Sequence, residues 1–173
     1  VTQFYTIAIP HAADEIRFIG GTQDNGTPFF SYDGETTTSS IDISTGDGSF
    51  CYWGEDNVFV SAQNGWVLRL GLEANGGDPP NIFVNGGSDW AILMPDGAEN
   101  MAFINPFAVD KNLETKLFYL DGSNVWRHYN VNITPDYTQE ASSAGWQNMT
   151  IKAPSGYNYS AVSISDSNDS HVM

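Results

Sequence analysis

Arg17-Phe18-Ile19-Gly20-Gly21-Thr22-Gln23-Asp24-Asn25-Gly26-Thr27 runs from a short apolar strand through a glycine pair into a polar corner, after which Pro28-Phe29-Phe30 resumes the apolar run. Asn-Gly between two strand-like runs is a strong hairpin signal, because both residues tolerate positive φ. The stretch predicts one corner of an antiparallel sheet, with Asp24 held at it. Outward from this corner the same layout returns. Val1–Pro10 and Ile16–Gly20 read as strands, Pro28–Tyr32 as a third and Thr36–Ser44 as a polar fourth. Ser49–Trp53, Val58–Ala62 and Trp66–Leu70 follow, the last two joined by a second Asn-Gly corner at Gln63-Asn64-Gly65. Strands are also expected at Asn81–Asn85 and Ser88–Pro95. The cycle restarts at Phe103–Asp110, continues through Lys116–Leu120, the corner Asp121-Gly122-Ser123-Asn124 and Val125–Tyr129, and ends with Trp146–Ile151. Tyr159–Ser165 opens another unit, followed by a turn at Asp166–Ser170.

The recurrence makes Ile7, Cys51, Ala108 and Val162 equivalent, at spacings of about 44, 57 and 54 residues, which is the range of four-stranded propeller blades with loop insertions. The expected architecture is all-β: a β-propeller segment of about three four-stranded antiparallel blades plus the start of another, with units near 1–44, 45–100, 101–155 and 156–173. Composition agrees. The chain has 173 residues, 17 of them Gly and 8 Pro, with 13% aromatic and only 16% charged residues, a balance rich in turns and poor in helix formers. No heptad pattern or helix cap competes.

Twenty-one acidic residues against 6 basic ones give a net charge of −15. Such a field repels nucleic acid and anionic membrane, since phosphate binding needs clustered Lys and Arg. It suits an acidic, solvated surface in extracellular water. Cys51 is alone, which excludes an internal disulfide, and in Phe50-Cys51-Tyr52-Trp53 it reads as a small core hydrophobe. No apolar run reaches the length of a membrane-spanning helix. The start at Val1 reads as that of a processed or trimmed product, or of a fragment.

The string Gly20-Gly21-Thr22-Gln23-Asp24-Asn25-Gly26-Thr27, preceded by Gln3-Phe4-Tyr5-Thr6-Ile7-Ala8, resembles the sortilin-like and BNR (Asp-box) β-propellers, above all those of large secreted bacterial proteins. The resemblance continues through Gly46-Asp47-Gly48, Gln63–Arg69, Phe103–Phe107 and Val125-Trp126-Arg127. It departs at the Asp-box itself, which Ser31-Tyr32-Asp33-Gly34-Glu35-Thr36 only approximates, without the family's Trp. It departs also in blade number, since propellers close with about 4–8 blades. The resemblance therefore implies a piece of a longer protein, or closure through other copies.

Within that superfamily, xyloglucan-degrading glycoside hydrolases carry a catalytic Asp at a strand corner, and the resemblance makes Asp24 the sharpest catalytic candidate. An inverting glycosidase needs a second carboxylate about 6.5–9.5 Å away. Asp47 and Asp121 lie near later corners, but no motif singles out either. The competing expectation is that Asp24 accepts hydrogen bonds from backbone N–H groups of its own turn. Gln23, Asn25, Trp66 and Trp126 are the candidate binding residues, the indoles as sugar-stacking platforms. Core packing between blades is the more ordinary role for the five Trp. Asp33 reads as a hairpin tie. Asp166-Ser167-Asn168-Asp169-Ser170 has oxygen donors but lacks the Gly and terminal Glu of a calcium loop, and His11, His128 and His171 make no zinc spacing, so neither metal nor cofactor is expected. Sequons start at Asn25, Asn132, Asn148, Asn158 and Asn168.

The expected function is a non-catalytic binding, adhesion or scaffold segment of a secreted propeller protein, with a glycan or protein ligand. The alternatives are part of a β-glucan or xyloglucan hydrolase using Asp24 as acid/base, and a sortilin-like peptide-binding propeller. The last is disfavoured by a chain with one Cys.

Overall fold

A computed structural model describes residues 2–10, 16–32, 34, 39–72, 77–82, 89–165 and 168–172. The fold is all-β, built from three four-stranded antiparallel sheets and a terminal hairpin. Sheet 1 contains β1 (Phe4–Ala8), β2 (Ile16–Thr22), β3 (Pro28–Tyr32) and β4 (Ser39–Asp42). Sheet 2 contains β5 (Gly48–Trp53), β6 (Asn57–Ala62), β7 (Trp66–Gly71) and β8 (Trp90–Ile92). Sheet 3 contains β9 (Phe107–Val109), β10 (Leu117–Asp121), β11 (Asn124–His128) and β12 (Trp146–Lys152). The hairpin is β13 (Ile164–Ser165) with β14 (Asn168–Val172). Within each sheet, strands adjacent in sequence are adjacent in space, some joined by tight corners such as Asp121–Asn124 and others by long segments, as between His128 at the end of β11 and Trp146 at the start of β12. Among the described residues helix is confined to 3-10 turns such as Gln63–Gly65 and Val131–Ile133.

Ile7, Cys51 and Ala108 lie on β1, β5 and β9, the first strands of their sheets, and Val162 sits just before β13. Alternation along the strands of sheets 2 and 3 sends apolar side chains to both faces, because these two sheets are packed on two sides. Ile19 and Phe29 of sheet 1 share a buried cluster with Val58, Val60 and Leu70 of sheet 2. Phe59 and Val67, on the other face of sheet 2, pack with Phe107, Leu117 and Tyr119 of sheet 3. Phe118, Leu120 and Val125, on the far face of sheet 3, lie under Tyr159, Val162 and Ile164. The thiol of Cys51 meets the Thr6 hydroxyl at 3.2 Å across the first interface. Burial pushes that thiol above its ordinary pKa, which keeps it protonated and inert.

Several elements differ from the expectations. The strand expected at Phe103–Asp110 is only Phe107–Val109, because Pro106 lacks the N–H that pairing requires. The unit expected to open at Tyr159 begins its strand at Ile164, and the expected turn at 166–170 gives way to β14 from Asn168. Asn81 and Ile82 are not in a strand, and the rest of Asn81–Asn85 lies outside the described residues. So do His11, the Asp33 tie and half of the approximate Asp-box.

The first corner also differs in detail. Asp24 (φ 64°) and Gly26 (φ 61°) take the left-handed conformation, rather than Asn25 and Gly26. At the second corner the expectation holds, with Asn64 at φ 62° and Gly65 at φ 82°.

Candidate functional site

The site forms where the first two corners meet the loop between sheets 1 and 2. Thr22 closes the first corner by donating its N–H and its hydroxyl to the Gly26 carbonyl, both at 2.9 Å. Gln23 N–H donates to the Gln3 carbonyl, and the Asn25 side-chain amide donates to the Gln23 carbonyl. Gly26 N–H then reaches the Gly46 carbonyl at 2.7 Å, and Ile43 N–H reaches the Thr27 carbonyl at 3.0 Å. A side chain at Gly26 would collide with the Ser44 carbonyl, so the approach of corner and loop requires glycine there. On the loop's other side Asp47 N–H donates to Gln63 Oε1 at 2.7 Å. Corner, loop and corner are thereby fastened in series.

The expected backbone acceptor, Asp24, is in fact a backbone donor. Its N–H donates to Asp47 Oδ1 at 2.6 Å. The left-handed conformation at Asp24 places its N–H outside the hairpin's own bonds, and the Asp47 carboxylate takes it. Among the described residues no donor reaches the Asp24 carboxylate.

Asp24, Asp42 and Asp47 line a cleft of about 620 Å³, with Asn25, Thr45 and Gln63 completing its polar wall. Ser44, Thr45, Gly46 and Gln63 form the partition to a second cavity of about 420 Å³. That cavity is walled by Trp66, Leu68, Ile82, Trp90 and Ile92. Except for Ile82, its apolar side chains belong to the sheet 2 face that packs on sheet 1 deeper in the molecule: Trp66, Leu68 and Leu70 alternate along β7, and Trp90 pairs with Leu70. Trp66 is 46% exposed, and the Trp90 ring is braced edge-on by Tyr137 at 6.3 Å. Ser44 Oγ, buried in the partition, has no hydrogen-bond partner among the described residues. The result is one composite cleft, acidic and polar at one end and indole-lined at the other.

Among the described residues no Lys or Arg lines either half, so the Asp24, Asp42 and Asp47 carboxylates give the cleft a negative potential. Among the described residues no cluster of His, Cys, Asp and Glu could hold a metal ion. The arrangement suits hydroxyl donors at the carboxylates and an apolar ring face on the indoles.

Of the sequence candidates, Asp24, Asn25 and Trp66 come together at this cleft, and Gln23 sits on its corner. Trp126 does not join them. It lies on β11, with its indole N–H donating to Asp121 Oδ2 at 3.3 Å. His128 is also structural, buried on β11 and edge-on to Trp146 at 4.9 Å. From the sequence Asp47 is only one of two carboxylates near later corners and Trp90 only one of five indoles that could stack on a sugar, and Gln63 has no assigned role. A signal existed for Gln63, which precedes the second Asn-Gly as Asp24 precedes the first. Comparison with known proteins finds no matching family model, no matching curated protein and no matching solved structure.

Proposed function

We propose that the chain is a segment of a secreted β-propeller that binds a neutral, hydroxyl-rich glycan in the composite cleft without turning it over. The propeller reading is supported by the sequential four-strand meanders, by an apolar cluster between each sheet and the next, and by a cavity of about 600 Å³. That cavity is lined by Cys51 on β5, Ala108 on β9 and Val162–Ser165, as first strands gathered about a common axis would require. The sortilin-like and BNR superfamily is the family proposed, on the corner motif and this architecture.

The observation that carries the binding function is the shared partition, which joins carboxylates and indoles in one cleft. Sugars need both: donors and acceptors for hydroxyls, and a flat ring for the C–H face. The negative potential selects against uronic and sialic acids. Titration of the 173-residue chain with neutral β-glucan and xyloglucan oligosaccharides, followed by tryptophan fluorescence, tests this. Saturable binding is expected for the neutral sugars and none for polyuronates. Equal binding of both would refute the assignment.

One observation favours the hydrolase alternative: the Asp24 carboxylate faces the cleft without a donor from the described residues, beside Asp42 and Asp47. Under that reading Asp24→Asn abolishes release of reducing sugar while the fold survives. Under the binding reading no reducing sugar is released by either form.

A further inference from the structure

Strand register puts the parts of the composite cleft in order. Ala62 pairs with Trp66, so Gln63 and the acidic half lie at the Trp66 end of β7. Leu68 pairs with Ile92 and Leu70 with Trp90, which sets Trp90 at the opposite end of the indole half. Trp66 and the Leu70–Trp90 pair are four residues apart along β7, about 13 Å at the rise of a strand. Beyond Trp90, the connection between β11 and β12 of sheet 3 runs along the outer edge of β8. Tyr137 N–H donates to the Trp90 carbonyl at 2.7 Å, and Ile92 N–H donates to the Thr138 carbonyl at 2.8 Å. The Tyr137 ring meets the Trp90 indole edge-on, and the residue is 50% exposed.

Tyr137 also occupies an unusual backbone position. Thr138 N–H and its hydroxyl both return to the Pro135 carbonyl, at 3.3 and 2.7 Å, closing a turn in which Tyr137 is the third residue, at φ 64°. That position favours Gly or Asn, and a bulky ring there carries strain. The turn is anchored by Asp136, whose carboxylate accepts Arg69 Nη2 at 2.7 Å. Asn would hold the same φ with less strain, so the turn itself does not require tyrosine. Residues held in sparsely populated conformations by a fixed surrounding cluster at ligand sites, and this one sets an exposed ring beside an indole of the cleft.

We propose that Tyr137 is a specificity-determining residue, a third aromatic platform that extends the cleft beyond Trp90 and selects extended glycan chains over short ones. The inference rests on the glycan-binding reading and deepens it. A chain with hydroxyls at Asp24 and Asp47 and ring faces on Trp66 and Trp90 continues onto Tyr137 at its far end. A disaccharide held in the acidic half or on Trp66 does not reach it. The site is then built by all three sheets.

Tryptophan fluorescence titrations of the 173-residue chain with cellobiose and cellohexaose test the proposal, with Tyr137→Asn and Tyr137→Phe beside the native chain. The native chain is expected to bind cellohexaose the more tightly. Tyr137→Asn should weaken cellohexaose binding about tenfold, the size of one aromatic contact, and leave cellobiose binding unchanged. It should melt no lower than the native chain, because Asn relieves the strained φ. Tyr137→Phe keeps the ring and should bind both sugars as the native chain does. Unchanged cellohexaose binding by Tyr137→Asn, or an equal loss for both sugars, overturns the platform and leaves the glycan reading standing. So does a Tyr137→Asn chain that melts well below the native one, because the ring then serves the fold. A Tyr137→Phe chain as weak as Tyr137→Asn also overturns it, because the hydroxyl and not the ring face is then the contact. If the native chain binds neither sugar, the glycan reading falls and the platform falls with it.

Discussion

Two corners carry an aspartate in similar places and use it in opposite ways. At the β2–β3 corner Asp24 is exposed, and its carboxylate takes no hydrogen bond from the described residues. At the β10–β11 corner Asp121 is 3% exposed. Its Oδ1 accepts the N–H groups of Asn100 at 2.6 Å and Glu99 at 3.2 Å, and its Oδ2 accepts the Trp126 indole N–H and the Asn124 amide. The difference lies in what folds over each corner. The segment before β9 lies across Asp121, whereas among the described residues Asp24 meets only the edge of the loop, at Asp47. A carboxylate at a hairpin corner is thus structural or available according to its neighbours' backbone, and residue type alone does not decide.

The largest effect expected is on stability at the closed corner. Asp121→Ala removes two charge-assisted bonds to backbone N–H groups, one to an indole and one to the Asn124 amide, and costs about 3 kcal/mol. Asp24→Ala costs less, about 1 kcal/mol, because the carboxylate gives up no hydrogen bond from the described residues and only the left-handed φ of 64° is less well tolerated by Ala than by Asp. Urea denaturation midpoints of the two variants measure the gap directly. Equal losses would erase the distinction between the corners.

Sheet 3 buries a second polar group, and pH exposes it. Burial, with the nearby Arg69 charge adding to it, pushes His128 down to about 4. Asn130 N–H donates to its Nδ1, so the proton sits on Nε2 and points to Thr134 Oγ1 at 3.1 Å. The unfolded chain binds this proton near the ordinary pKa of about 6.5 and the folded chain does not. The stability His128 contributes is therefore fully present above that value and is lost as pH falls towards 4. By pH 5 the loss is about 2 kcal/mol. Thermal melts of the native chain and of His128→Gln between pH 8 and pH 5 check this: the native chain should lose the larger increment.

Trp66 and Trp126 repeat the contrast between available and structural groups in aromatic form. Trp66→Ala should weaken oligosaccharide binding about tenfold, roughly 1.4 kcal/mol, with little change in melting temperature. Trp126→Ala should do the reverse, because its N–H is committed to Asp121. Parallel fluorescence titrations and melts separate the two. Loss of affinity in both variants would place the glycan elsewhere.

The strands were legible because their apolar residues alternate and Gly-rich corners separate them; Phe18-Ile19 against Phe29-Phe30 is enough to pair β2 with β3. The cleft was not legible in the same way. Asp24, Asp47, Gln63, Trp66 and Trp90 are dispersed along the chain and are joined by backbone bonds such as Gly26 N–H to Gly46, which any residue types could make. Trp66 and Trp126 each follow a corner, and only the fold shows that one opens on a cavity and the other on a buried carboxylate. The left-handed residue at the first corner was misplaced for a related reason. Asn-Gly predicts a two-residue turn, but the docked loop draws the Asp24 N–H outward and shifts the positive φ by one position.

The smallest expected effect tests the joint between the two corners. Gly46 has φ 79°, and a Cβ there would collide with the Gln63 amide that holds Asp47 N–H. Gly46→Ala therefore strains the loop by about 1–2 kcal/mol, partly relieved because Gln63 is the flexible end of a side chain and can swing aside. Moving Gln63 breaks its bond to Asp47 and alters the partition between the acidic and indole halves of the cleft. The variant should fold with a melting temperature lowered by a few degrees and should bind a short sugar nearly as well as the native chain. A longer oligosaccharide that spans both halves should bind it less well. If short and long ligands are affected alike, the two halves act as separate pockets, and the open corner is no nearer to being a site than the closed one.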